Sequence, residues 1–214
     1  MINHIDVSMV LRGTVCDLYS NLVTRSTGAA VRGEIEAQLA ELRGRSVNVI
    51  DFSHVTLLDF SCADEIVAKL LLRFGVGAGE DATRTAETPC AVADDWNGTP
   101  APAGPREAYF VFRGVSDVHR DAIETVLERH RLALVAEGED GVPELVGAVE
   151  EPEQRVWQAL VRVPRADAEE VARLAGLGAE EAEEVLDRLC RRRLVIRVAS
   201  DVGDADRFLA VGAR

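Results

Sequence analysis

The chain has 214 residues, of which 47% are hydrophobic and 29% are charged, proportions that are ordinary for a globular protein with a buried core. Its formal net charge of −13 at pH 7 repels DNA and anionic membranes at long range, so binding to either needs a local basic patch. The sequence has no apolar run of 18 residues and no signal segment at its start. It therefore predicts neither a membrane span nor secretion and favours a cytoplasmic protein.

The first 74 residues predict the order strand, helix, strand, helix. Ile5, Val7, Met9 and Leu11 alternate with polar residues, which predicts a first strand. Apolar residues at helical spacing between Val31 and Leu42 predict a helix that stops at Gly44. The apolar run 47–52 predicts a buried strand, and apolar positions between residues 63 and 74 mark one face of a second helix.

Residues 75–107 predict a surface loop, because they hold four of the seven prolines and show little periodicity. After the loop, strand-like runs at 109–112 and 132–135 flank a helical pattern that begins near Ser116. Strands that alternate with helices predict a sheet with helices packed against it. Because the alternation resumes, we place the loop inside one α/β domain that covers residues 1–150.

The last part of the chain, residues 151–214, has a different pattern and predicts a second domain. Apolar spacing predicts helices over 153–163, from Asp167 to Leu174, and over 179–193, with Asp167 and Glu170 as a capping pair. Two strand-like runs, 194–199 and 207–211, flank an acidic turn at 201–204. Three helices followed by a β-hairpin indicate a winged helix-turn-helix.

The sequence shows no metal, cofactor or catalytic motif. The four cysteines, Cys16, Cys62, Cys90 and Cys190, lie far apart without a neighbouring histidine, so they predict neither a zinc site nor a disulfide framework. The chain also lacks HExxH, GxSxG, GxGxxG and the phosphate-binding P-loop. We therefore expect no metal, no cofactor and no enzymatic activity.

One segment carries a family resemblance, VIDFSHVTLLDFSCADEIVAKL at residues 49–70. It resembles the central motif of STAS domains, in which a strand ending in Asp is followed by a loop and a hydrophobic-Asp-Ser-Ser-Gly turn into a helix. Asp51, Asp59 and Ser61 match that motif, whereas Phe60 and Cys62 replace its first serine and its glycine. The resemblance covers residues 1–150 without the loop and implies a STAS-like sheet with helices packed against it.

The resemblance also implies a regulatory role. In the anti-sigma-factor antagonists of the family, a partner kinase phosphorylates the second serine of the turn, and Ser61 takes that position. The implied partner is a serine kinase or an anti-sigma-like regulator, with self-association as a further alternative. The candidate partner-binding residues are Asp51, Ser53, His54, Asp59, Cys62, Asp64 and Glu65.

Simpler structural roles remain open for Ser61, Cys62 and His54. Ser61 and Asp64 form an S-x-x-D pattern, so Ser61 alternatively caps the helix by accepting a hydrogen bond from its first turn. Cys62 at a helix start has either a lowered thiol pKa that suits oxidant sensing or a purely structural role. His54 is either a partner contact or a solvated loop residue.

The winged helix has a DNA-binding and a protein-binding interpretation. Residues 152–214 hold 12 acids and 11 arginines, which is nearly neutral and permits DNA binding. However, the helix that would read DNA begins with the run AEEAEE at 179–184, where phosphates would approach. The pattern therefore favours protein docking or dimerisation, and a DNA-binding regulator with a STAS-like sensor is the alternative.

Overall fold

The structure, a computed structural model, describes residues 1–14, 21–75, 107–138, 140–199 and 205–213. Over these ranges it is a mixed α/β protein with nine strands and seven helices. The strands are β1 (Ile2–Asp6), β2 (Asn21–Leu22), β3 (Arg45–Asp51), β4 (Leu57–Leu58), β5 (Glu107–Arg113), β6 (Ala133–Glu137), β7 (Pro143–Gly147), β8 (Val195–Val198) and β9 (Arg207–Ala210). The helices are α1 (Val7–Thr14), α2 (Arg25–Ala40), α3 (from Phe60), α4 (Asp117–His130), α5 (Glu151–Arg162), α6 (Ala168–Ala175) and α7 (Ala179–Arg191).

Helix α3 opens with an α-helical turn, Phe60–Ala63, and continues through two π-helical stretches, Asp64–Ala68 and Leu71–Gly75. The predicted loop lies almost entirely outside the described residues, as do Cys16, Cys90 and the acidic turn at 201–204. No helix in the described ranges is long and apolar enough to cross a membrane.

The main sheet has the strand order β1-β3-β5-β6-β7, in which the first four strands are parallel and β7 is antiparallel to β6. Each parallel crossover steps in the same direction, and right-handed crossovers then place all the connecting helices on one face of the sheet. The core on that face combines Ile50, Phe112 and Leu134 of the sheet with buried residues such as Ile66 of α3 and Ile123 of α4.

The C-terminal segment covers the opposite face of the sheet. Val49, Val111 and Val135 are register partners on β3, β5 and β6, and they share a second core with Trp157 of α5 and Leu186 of α7. Strands that cross over on one face leave the other face bare, so burial of this apolar face is what binds the segment to the sheet. The part of the chain after residue 150 is therefore packed on the sheet rather than separate from it.

Within the C-terminal segment, the element order is the predicted one: α5, α6 and α7 are followed by the antiparallel pair β8–β9. The side chain of Asp167 caps α6 by accepting a hydrogen bond from the Glu170 amide at 2.9 Å, as the sequence predicts. Gly176 then ends α6 in the left-handed conformation, with a φ of 63°.

The prediction of a strand beyond Asp6 is wrong. Strand β1 ends there, and α1 begins at Val7. The Asp6 carboxylate accepts hydrogen bonds from the amides of Ser8 and Met9, at 2.8 and 3.2 Å, and so satisfies the open amides of the first helical turn. Val7 and Leu11 fit a helix as well as a strand, and burial of Val10 together with exposure of Met9 decides for the helix.

Candidate functional site

Asp59, not Ser61, caps helix α3. Asp59 is extended and its Oδ1 accepts the Cys62 amide at 2.9 Å. Ser61 lies inside the first turn, and its hydroxyl donates a 2.8 Å hydrogen bond to the same Asp59 oxygen. The prediction that Ser61 is the cap is therefore wrong, because the helix starts one residue before it and the longer carboxylate reaches the amides of that turn.

The two side chains of this turn have different electrostatic environments. Partial burial of Asp59 opposes ionisation, but hydrogen bonds from the Cys62 amide and the Ser61 hydroxyl lower the pKa of this carboxyl below its ordinary value. Asp59 is thus a carboxylate at neutral pH. Ser61 is a partly exposed residue, and its hydroxyl is bonded to an anion.

Cys62 is buried and has a structural role. Its thiol donates to the Thr24 carbonyl at 3.0 Å, across to the start of α2. Burial and the nearby Asp59 carboxylate raise the pKa of the Cys62 thiol to about 11, so it is protonated at neutral pH. This contradicts the oxidant-sensing alternative, which needs an accessible thiolate. An added Cβ on Gly28 of α2 would lie 3.0 Å from the Cys62 Cα, so α2 and α3 cross closely here.

Asp64 and Glu65 are buried and paired within the chain rather than presented to solvent. The Arg25 guanidinium bridges both, at 3.2 Å from Asp64 and 2.9 Å from Glu65. His130 at the end of α4 lies 2.8 Å from Asp64, and Lys69 lies 2.7 Å from Glu65. Burial of Asp64 is outweighed by the His130 and Arg25 contacts, which lower its pKa.

These contacts join three helices and were missed by the sequence analysis. Glu65 also faces Arg32 of α2 at 3.4 Å, so Arg25 and Arg32 tie α2 to α3 while His130 ties α4 to it. The spacing of Glu65 and Lys69, four residues apart in a helix, is a signal that was available in the sequence. The contacts of Arg25, Arg32 and His130 come from distant parts of the chain and leave no such signal.

The remaining predicted residues, Asp51, Ser53 and His54, lie at the carboxyl end of β3. Asp51 accepts the Ser53 amide at 2.8 Å, which shapes the turn. Ser53 touches Gly114, which follows β5 with a φ of 67°. His54 is exposed. Burial opposes ionisation of Asp6, but hydrogen bonds and the His54 charge lower the pKa of this carboxyl. The candidate partner-binding residues predicted from the sequence therefore lie in two places, this turn after β3 and the start of α3.

His119 is a buried titratable residue behind that turn. Its Nδ1 accepts the Ser116 amide at 3.3 Å at the start of α4, which requires an unprotonated nitrogen. Its Nε2 has no hydrogen-bond partner among the described residues, and its ring lies 6.1 Å from that of Phe52. Burial lowers the pKa of His119 below the ordinary 6.5, since a buried cation at a helix start is unfavourable.

We expect this histidine to make the fold acid-sensitive. Because its pKa is lower in the folded state than in the unfolded state, its contribution to stability is complete above pH 6.5 and is lost as the pH falls. The loss is at most about 1.4 kcal/mol per pH unit between the two pKa values. The measurement is urea unfolding of the wild type and His119→Gln from pH 8 to pH 5. A constant difference in unfolding free energy between the two would contradict this expectation.

The outward face of α7 is acidic. Glu180, Glu181, Glu183 and Glu184 are all exposed, and none forms an ion pair with another residue that the structure describes. Ala182, Val185 and Leu186 are buried, and Val185 and Leu186 pack in the second core. The carboxylates at the start of this helix are thus free for solvent or a partner.

Three arginines at the other end of α7, Arg188, Arg192 and Arg193, are used within the chain. Arg192 forms a 2.7 Å ion pair with Glu153, a residue of α5 that is 2% exposed, and Arg188 lies 3.7 Å from the same carboxylate. The Arg193 guanidinium stacks over the ring of Tyr109 in β5, 5.5 Å from its centre. Arg188 and Arg192 thus tie α7 to α5, whereas Arg193 ties α7 to the sheet, and all three are engaged within the chain.

A scan against protein-family models and searches of curated proteins and solved structures find no match to this chain. Over the described ranges, the structure brings no three His, Cys, Asp or Glu residues into an arrangement that fits a metal ion.

Proposed function

We propose that the chain is a non-enzymatic regulatory protein that acts by binding other proteins. In this proposal, residues 1–150 form a STAS-like domain and the C-terminal segment is a winged helix that is fixed to it. The observation that carries the proposal is the Asp59–Ser61 turn, where a partly exposed hydroxyl lies on the first turn of α3. Parallel strands with their helices on one face and Asp51 at the end of β3 support the same interpretation.

The proposed switch is phosphorylation of Ser61 by a serine kinase that uses ATP. We expect incubation of the protein with such a kinase and Mg-ATP to add one phosphate, measured by intact mass, because Ser61 is a partly exposed residue at the start of a helix, where an anion is favoured. Ser61→Ala should abolish the addition, whereas Ser26→Ala, at an exposed serine of α2, should not. Phosphate on the Ser61→Ala protein would contradict the assignment of the site.

The acidic face of α7 supports protein docking over DNA binding. DNA approach would bring phosphates to four exposed glutamates, while Arg188, Arg192 and Arg193 already contact Glu153 and Tyr109. A partner with a basic surface suits the helix better.

We therefore expect no retardation of double-stranded DNA fragments in a mobility-shift experiment at low salt, where phosphate contacts are strongest. Retardation that weakens steeply as salt rises would instead favour the alternative, a DNA-binding regulator with a STAS-like sensor. A variant with all four glutamates of α7 changed to glutamine is the matched control, since it removes the repulsion without altering the buried face of the helix.

A further inference from the structure

The surroundings of Ser61 are less acidic than the sequence indicates. Three acids, Asp59, Asp64 and Glu65, lie within one turn of it along the chain. Asp64 and Glu65 are paired with neighbouring cations, which are Arg25, Arg32 and Lys69, and Asp64 also contacts the His130 ring. Only Asp59 remains as a carboxylate without a cationic partner among the described residues, and it is the one that contacts the Ser61 hydroxyl.

A cation without an anionic partner lies next to this turn. Arg129, on the last turn of α4, is exposed, and its guanidinium lies over the ring of Phe60, 5.7 Å from the ring centre. It forms no ion pair or hydrogen bond with any other residue in the described ranges. Phe60 directly precedes Ser61, so the stacking contact holds an unused guanidinium against the first turn of α3.

We propose that Arg129 is the receptor for a phosphate group on Ser61, and that the phosphate displaces Asp59 from the cap of α3. This inference rests on the proposed function, since it takes Ser61 as the phosphorylated residue. Transfer from ATP forms the bond from phosphorus to Ser61 Oγ, breaks the bond to the leaving ADP and releases the hydroxyl proton to solvent. The 2.8 Å hydrogen bond to Asp59 is lost with that proton, and two anions then face each other.

The hydrogen-bond donors around this turn suit a phosphate on Ser61 better than they suit the Asp59 carboxylate. A guanidinium presents paired N–H donors that match two phosphate oxygens, and displacement of Asp59 frees the Cys62 amide at the start of α3, where an anion is favoured. Arg129 leaves the Phe60 ring as it turns to the phosphate. Phosphorylation therefore removes the guanidinium that covers one side of the Phe60 ring, in addition to adding charge on the first turn of α3.

The experiment uses full-length protein with phosphoserine inserted at position 61 during translation. The second pKa of a phosphoserine is ordinarily about 6, and we measure it by phosphorus NMR titration. Removal of one cation in Arg129→Gln should raise this pKa by a few tenths of a unit or more. Arg43→Gln, at an exposed arginine after α2, should leave it unchanged. Asp59, Asp64, Glu65, Arg25 and His130, which surround the site, are the same in all three proteins.

An unchanged phosphate pKa in Arg129→Gln would overturn the inference. An equal rise of the phosphate pKa in Arg43→Gln would also overturn the inference, because the rise would then come from the change in net charge and not from Arg129 in particular. Thermal unfolding of each variant shows whether the fold is retained. Because the phosphoserine is inserted without a kinase, failure of every kinase to modify Ser61 would overturn the proposed function and leave this result unaffected.

Discussion

Replacement of Trp157 by alanine is expected to lower the free energy of unfolding of the whole chain, sheet included, by about 3–5 kcal/mol. Trp157 is 1% exposed, and its indole N–H donates to the Leu194 carbonyl at 3.3 Å. It belongs to the core that α5–α7 share with Val111 and Val135 of the sheet. Its removal leaves a cavity between the two parts, and neither part then retains a complete core.

The measurement is urea unfolding followed by circular dichroism, together with hydrogen exchange of the amides of β5 and β6. A shared core predicts a single transition in which the exchange protection of both parts falls together. Trp157→Phe is the matched variant. It keeps most of the buried area, so it should lower the free energy of unfolding clearly less than Trp157→Ala does. Two separate transitions, with unchanged protection in β5 and β6, would contradict the shared core.

Gly114→Ala is expected to destabilise the protein by about 2–5 kcal/mol. Gly114 has a φ of 67°, and an added Cβ would lie 2.4 Å from both the amide nitrogen and the Oγ of Ser53. The backbone of Ser53 cannot move away easily, because its amide is bonded to Asp51. The cost therefore combines left-handed backbone strain with a clash against the turn after β3.

Gly141→Ala separates these two contributions. Gly141 has a φ of 74°, and nothing lies within 4 Å of the added Cβ, so only the conformational cost of about 1–2 kcal/mol should appear. Denaturant unfolding of both variants gives the difference that belongs to the contact with Ser53. Equal losses in the two variants would show that this contact contributes nothing to stability.

The sequence-based prediction of secondary structure succeeds where periodicity extends over several turns. The helices α2, α4, α5 and α7 and the strands β3, β5 and β6 lie where the apolar pattern places them. It fails in short segments. The pattern from Ile5 to Leu11 fits both periods, and β7 contains only two apolar residues besides its proline, Leu145 and Val146, so neither has a distinctive local signal.

The candidate site was predicted in its residues but not in their roles. The segment around Ser61 was identified, yet the exchange of roles between Ser61 and Asp59 depends on a helix start that differs by two residues. Spacing alone does not locate a helix start that closely. Asp64 and Glu65 were expected at a partner surface, whereas burial against Arg25 and Arg32 makes them part of the packing of three helices.

The amino-acid sequence by itself determined the order of strands and helices and the α/β class, because apolar periodicity is a local property of the chain. Only the tertiary structure decided which groups the charged residues meet and what covers the second face of the sheet. The cations around Ser61 come from α2, α3 and α4, and Trp157 shares a core with Val111, which lies 46 positions earlier in the chain. Such contacts follow from the direction of the crossovers and from burial, which no local pattern records.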